Sequence, residues 1–350
     1  MLPIILCLML ALPAGSPGAA SHFTVTPLAD GVYAVIEADP LGLANHSNAV
    51  FIVGSDDVIV VDTQFTLHRT REVLDALRGI TDKPVRTVIN THWHDDHMFG
   101  NQVYKEAFPN VEIIAHANTR ADMETTGVEN RAGQVAGGAE AMTMFHDAIE
   151  AKTALDGSPL SPDERDAYAS TVAIAQEYLD EQPGFTLTLP TRTFTDQLTL
   201  RQGERVIEVR HFGPAVTRGD VIVYLPAEGV LAAGDLVDNP VPFAYGCNTE
   251  GWIAALDSIR ALKPKTIVPG HGELVTDGGE QLARVLTALR DQARAAVANG
   301  ESLDTARAHI NVDDFRARMV SNNKMLGFIF DQMFVGPVMK SAFESAGGSE

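Results

Sequence analysis

Seven consecutive residues, Thr91-His92-Trp93-His94-Asp95-Asp96-His97, hold three imidazoles and two carboxylates. Imidazole nitrogen and carboxylate oxygen are donor types that hold zinc and related divalent cations. On a helix these side chains would spread around most of its circumference. On a loop leaving a strand end they can converge, and the β-branched run Val85–Asn90 just before them reads as that strand. Loops carried by rigid sheets are where binding and catalytic groups concentrate. A merely solvated loop has no use for three histidines and a tryptophan in so short a span. The chemistry to expect is metal binding.

The pattern His-x-His-x-Asp-His after a strand resembles the signature of the metallo-β-lactamase superfamily, and other segments are similar in the same order. Ile59-Val60-Val61-Asp62-Thr63 looks like its first motif, Ala233-Gly234-Asp235-Leu236 like the one with a metal-bridging aspartate, and Val268-Pro269-Gly270-His271-Gly272 like the one with the last histidine. The resemblance runs from about Gly31 to Gly272, apart from a helical insertion. It implies an α/β protein, a four-layer αβ/βα sandwich with metals at one edge between two sheets. It also implies two zinc positions. His92 and His94 would serve the first, Asp96, His97 and His271 the second, and Asp235 would bridge them. Asp62 would support the ligands from behind, and Asp96 would act catalytically by orienting a nucleophilic water held by the metals or receiving its proton. His46 lies on a loop that flanks the metals in this family and is a candidate substrate contact. Iron or manganese would suit the same donors.

One motif departs from the family. Where the superfamily has Gly-Pro-x-His-Thr-x-Gly-Asp, this chain has Gly213-Pro214-Ala215-Val216-Thr217-Arg218-Gly219-Asp220. Valine has no lone pair to donate. The first position keeps only His92, His94 and the shared Asp235, so one firmly held zinc at the second position is expected, with a weak or exchangeable first. His211 and His116, the nearest spare imidazoles, suit strand packing better than ligation. Asp235 argues against a typical β-lactamase and points, by resemblance, to glyoxalase II, lactonase, phosphodiesterase and sulfatase branches. Lys and Arg are sparse in the first half, which disfavours a dianionic substrate. Val241-Pro242-Phe243-Ala244-Tyr245 is a candidate apolar wall, as are Met142, Met144 and Phe145. The expected substrate is a small uncharged ester, lactone, amide or thioester. Two other readings fit the same residues: a non-hydrolytic binding or accessory protein, and an iron-dependent redox member.

These groups must be positioned by alternating strands and helices. Short β-branched runs fall at Val32–Ile36, Ala49–Val53, Val58–Val61 and Glu112–Ala115, with a helical pattern over Arg69–Leu77. From about 120 to 184 the rhythm changes to a helical insertion, with helices over Met142–Leu155 and Asp163–Leu179. Ser161-Pro162-Asp163 is a start signal for the second. The insertion is either a surface layer or a wall over the pocket. Strands return at Thr186–Leu189, Leu198–Leu200, Arg205–Arg210, Val221–Leu225, Val230–Ala233 and Thr266–Val268, with helices over Trp252–Leu262 and Gly279–Asn299. A helical tail runs from about 300 to 345. Its Phe328, Phe330, Met333 and Phe334 suit either a dimer contact or a cap on the core, and the oligomeric state stays open.

Residues 1–20 read as a secretory signal peptide: apolar Leu2–Leu12, then small residues ending Gly18-Ala19-Ala20. The apolar run is shorter than the roughly 20 residues of a membrane span. No basic residue precedes it, and the first Lys or Arg of the chain is Arg69. Residues 21–350 then read as one periplasmic or secreted domain with no membrane span. Of two cysteines, Cys7 would leave with the leader and Cys247 would remain unpaired. The net charge of −20 repels phosphate backbones, which sets nucleic acid aside as a partner.

Overall fold

A computed structural model describes residues 22–37, 46–155, 157–320 and 323–349. The expected signal peptide lies outside the described residues. Strands β1 (Phe23–Ala29), β2 (Val32–Glu37), β3 (Ala49–Val53), β4 (Val58–Val61), β5 (Val85–Ile89), β6 (Glu112–His116) and β7 (Arg192–Phe194) form a seven-stranded sheet in that spatial order. It is antiparallel from β1 to β4 and parallel from β4 to β7. A five-stranded sheet follows, in the order β12 (Thr266–Pro269), β11 (Val230–Gly234), β10 (Val221–Leu225), β9 (Arg205–His211) and β8 (Gln197–Gln202). Only its β11–β12 pair is parallel.

Period-two alternation makes each sheet two-faced. Val32, Ala34, Ile36, Val50, Ile52, Ile59 and Val61 face Val209, Val221, Val223, Leu225, Val230 and Ala232 in the core between the sheets. The alternate residues Val35, Phe51, Val58 and Val60 face outward onto helix α1 (Leu67–Ile80) and, past the short α2 (Asp95–Met98), onto α3 (Asn101–Ala107). On the second sheet Ile222, Leu231, Ala233 and Ile267 face helices that follow the insertion. The result is the four-layer αβ/βα sandwich that the motifs imply.

The insertion comprises α4 (Ala117–Glu124), α5 (Thr126–Ala151) and α6 (Pro162–Glu181). Ser161 caps α6 in a reciprocal capping box with Glu164, matching its start signal. Helix α5 begins well before the expected Met142. Gly133, Gly137 and Gly138 lower the helical propensity of that stretch. Packing overrides it: a Cβ on Gly138 would stand 3.1 Å from Leu179 of α6, so glycine lets the two helices close. The strand expected over Thr186–Leu189 does not form. That segment is tied by side chains instead, with Asn101 Nδ2 donating to the Thr188 carbonyl and Gln102 Oε1 accepting from the Thr186 amide. Pairing resumes beyond Pro190, at β7.

The second outer layer holds α7 (Thr249–Leu262) and α8 (Glu280–Ala298), closed by tail helices α9 (Leu303–Ala308), α10 (Asp313–Val320), α11 (Lys324–Phe328) and α12 (Gly336–Ser345). Residues Ile329–Val335, wound as a wider π-helix, bury Phe330 and Phe334, and Phe334 meets the buried Trp252 edge-on at 6.4 Å. The tail aromatics thus cap the core, with Phe328 left exposed. Among the described residues no helix is long and apolar enough to cross a membrane.

Candidate metal centre

Four strand ends deliver the sequence-predicted residues to one place. Asp62 follows β4, His92 to His97 follow β5, Asp235 follows β11 and His271 follows β12. These are two parallel pairs, so their carboxyl ends share one edge, where α/β proteins commonly place ligands. Glycine permits the close approach at this edge: a Cβ on Gly270 would collide with the Asp235 carboxylate.

Asp62 is the support behind the histidines. It sits at φ 58, a left-handed conformation that aspartate tolerates better than most residues. Its Oδ1 accepts from the Thr91 amide at 2.7 Å, and its Oδ2 accepts from the Thr91 hydroxyl at 2.7 Å and lies 2.9 Å from His97 Nδ1. Thr91 Oγ1 in turn lies 3.1 Å from His92 Nδ1, and the His46 carbonyl 3.1 Å from His271 Nδ1. With Nδ1 engaged from behind, the Nε2 atoms of His92, His97 and His271 turn to the centre.

There the donors fall into two sets around Asp235. Its Oδ1 is 2.9 Å from His97 Nε2 and 3.6 Å from His271 Nε2, while Asp96 Oδ2 is 3.1 and 3.0 Å from the same two nitrogens. Its Oδ2 is 3.2 Å from His92 Nε2 and 3.6 Å from His94 Nδ1. The two oxygens of one carboxylate thus face the two predicted ligand sets. His92 Nε2, His97 Nε2 and Asp235 Oδ1 are buried and make no hydrogen bond. An unpaired buried polar atom costs about 1–3 kcal/mol, so three side by side fit a divalent cation between them.

The charges agree. Burial would raise the Asp96 and Asp235 carboxyls, but the imidazoles against them hold both well below the usual carboxylate range. Burial would likewise lower His271, yet Asp235, Asp96 and Asp238 push it up to about 9. Burial takes His92 down.

Val216 is buried and lines the same cavity, so an apolar side chain occupies the place of the family's histidine. His211 does not replace it: it stacks on His116 at 4.0 Å, and its Nδ1 lies 2.8 Å from the Asp220 carbonyl. His46, read as a substrate contact, is 8 % exposed and does not line the cavity; burial lowers its ring to about 3. Its contribution here is the carbonyl that orients His271.

The cavity over the centre holds about 740 Å³. Phe65, Trp93, Phe243 and Tyr245 supply apolar walls, and Thr126, Glu129, Asn130 and Gln134 of α5 supply a polar one. The insertion is therefore a wall of the pocket. Met142, Met144 and Phe145 are not part of it: Met144 is exposed, and Phe145 packs on Tyr168. Among the described residues Arg218 is the one Lys or Arg in the lining, and it is paired with Asp122.

Sequence reasoning missed three features. Asp95, between His94 and Asp96, is buried and gripped by the insertion. Arg131 of α5 donates to both of its oxygens, the Nε bond being 3.0 Å, and the Tyr178 hydroxyl of α6 donates to Oδ2 at 2.8 Å. Tyr178 also stacks on Phe65 at 4.4 Å. Arg218 sat unremarked in the altered motif. Asp238 is a buried carboxyl raised well above its ordinary range by burial and by the neighbouring Asp235. Its only sequence signal is a charge following apolar Leu236-Val237, three residues past a ligand.

Comparison with known proteins agrees with this geometry. The family model for the metallo-beta-lactamase superfamily matches residues 43–271. The linear primary-alkylsulfatase of a Pseudomonas species is 28 % identical over 247 residues, covering 69 % of this chain but 44 % of the alkylsulfatase. The type 2 metallo-beta-lactamase of Bacteroides fragilis is 21 % identical over 272 residues, covering 75 % and 83 %. Among solved structures, a sec-alkylsulfatase from a Pseudomonas species superposes with a TM-score of 0.61 at 16 % identity, over 92 % of this chain and 50 % of that one. The chain spans about half the length of these alkylsulfatases.

Proposed function

The chain belongs to the metallo-β-lactamase superfamily, and from that premise we propose that it is a zinc-dependent hydrolase of a small uncharged ester, lactone, amide or thioester. The observation that carries this reading is the convergence of His92 Nε2, His97 Nε2 and Asp235 Oδ1, buried and without a hydrogen bond, beneath a cavity that His94, Asp96, Asp235 and His271 line. Asp96, His97, His271 and Asp235 would hold the metal, with His92 and His94 on the far side of Asp235. A divalent cation bound there supplies a Lewis acid that lowers the pKa of water and polarises the scissile group. Asp96 reaches the cavity wall with its carboxylate ionised, which suits it to orient the attacking water and receive its proton. Phe65, Trp93, Phe243 and Tyr245 bind the apolar part of the substrate and exclude bulk water.

A second reading has specific support: a sulfate monoester on an apolar chain. Two relatives are alkylsulfatases, and the guanidinium of Arg218 reaches the cavity, where a sulfate would compete with Asp122 for it. A panel of chromogenic esters, lactones, thioesters, alkyl sulfates, phosphodiesters and nitrocefin, with and without chelator, separates these readings. Chelator-sensitive turnover of neutral esters is the expected result. Turnover confined to alkyl sulfates favours the second reading. No chelator-sensitive turnover on the panel would favour a binding protein on this scaffold.

A further inference from the structure

We propose that Asp238 is an additional ligand of the second metal position, making up in that position for the donor that Val216 removes from the first. The inference rests on the metal-binding part of the reading above. Asp238 is 6 % exposed on the loop after β11. Asp235, Asp238 and His271 each offer one donor atom, and the three atoms lie within 4.8 Å of one another. The donor groups Asp96–His97–His271 and His92–His97–Asp235 meet the same limit. His97, His271 and Asp235 each belong to two of these three groups, so the groups describe one crowded centre, with Asp238 on its His271 side. Asp235 Oδ1, 2.9 Å from His97 Nε2 and 3.6 Å from His271 Nε2, is buried and has no hydrogen bond.

The loop fixes the carboxylate in place. Asp238 Oδ1 accepts from the His271 amide at 3.0 Å, and the Asn239 amide donates to the His271 carbonyl at 3.1 Å. The ligand loop and the Asp238 loop are thus locked together through their backbones. The charged groups that act most strongly on Asp238 are Asp235, His271 and His97. Two buried carboxylates this close repel strongly at low dielectric, and a metal cation, a proton on Asp238 or the protonated His271 ring can offset that repulsion. A cation makes the second position rich in oxygen, with Asp96, Asp235 and Asp238 beside two imidazoles. A proton makes Asp238 a mere brace for the loop.

Asparagine separates the two cases. It keeps an oxygen for the His271 amide and closely imitates a protonated carboxyl, but it is a poor metal ligand. The experiment strips the full-length protein with chelator and titrates zinc against a chromophoric competitor. Wild type, Asp238→Ala and Asp238→Asn are compared, with no substrate present. Zinc affinity at the tight site is expected to fall at least tenfold in both variants. The absorption of the cobalt-substituted protein should shift toward lower coordination in Asp238→Asn relative to wild type. Wild-type zinc affinity in Asp238→Asn, or a cobalt spectrum unchanged by that substitution, overturns the proposal while leaving the hydrolase reading intact. Absence of any tight zinc in wild type overturns both. If Asp238→Ala does not fold, the affinity and spectrum of Asp238→Asn decide.

Discussion

At the scale of single residues, the centre is built by orientation from behind. Asp62 does not line the cavity, yet it positions His97 directly and His92 through Thr91. Removing such a support typically costs about 10–100-fold in metal affinity. Asp62→Ala should therefore weaken zinc by that factor in a chelator competition, and an unchanged affinity would refute the role. Protons compete with the metal as well. Without a cation, Asp235 and Asp96 overcome burial and hold His271 up at about 9, so its proton must leave before it can ligate. Zinc affinity should rise from pH 6 toward about 9, roughly tenfold per unit for each proton displaced. A flat profile over that range would contradict it. The cluster was legible in the sequence because spacing and residue type carry it: His92, His94, Asp96, His97, Asp235 and His271 come together at one sheet edge. Asp238 was not legible, because a buried carboxylate and a solvated one look alike in a chain.

At the scale of elements, the insertion is coupled to the metal loop through one ion pair. Arg131 and Asp95 are both buried, and Tyr178 shares the same carboxylate. Deleting one partner of a buried pair commonly costs about 3–5 kcal/mol, because the other is left uncompensated. Arg131→Met should lower the melting temperature and loosen the wall formed by α5, raising KM more than it lowers kcat. Arg131→Lys should recover part of the loss. A melting curve for Arg131→Met that overlays wild type would show the clamp to be idle. Hydrophobic alternation made β2 to β5 and β9 to β11 readable from sequence. The start of α5 was hidden by glycines whose reason is contact with α6. The region near Thr186 has strand-like residues but takes its hydrogen bonds from Asn101 and Gln102, a long-range choice invisible to local pattern.

For the whole molecule, two sheets bring four strand ends to one edge, and the insertion closes a cavity above it. The cap formed by Phe330 and Phe334 belongs to this level, since only packing shows that these two rings are buried in the core. A net charge of −20 fits a protein that handles a small molecule and not a polyanion. If residues 1–20 are a leader, protein recovered from outside the cytoplasm should begin after Ala20 by N-terminal sequencing; an intact Met1 in the exported fraction would contradict that. The most direct test of the centre itself is to count metal per chain by elemental analysis of the purified protein and of Val216→His. One tightly held zinc is expected in the native chain and two in the variant. Two tight zincs in the native chain, or none, would contradict the asymmetric centre described here.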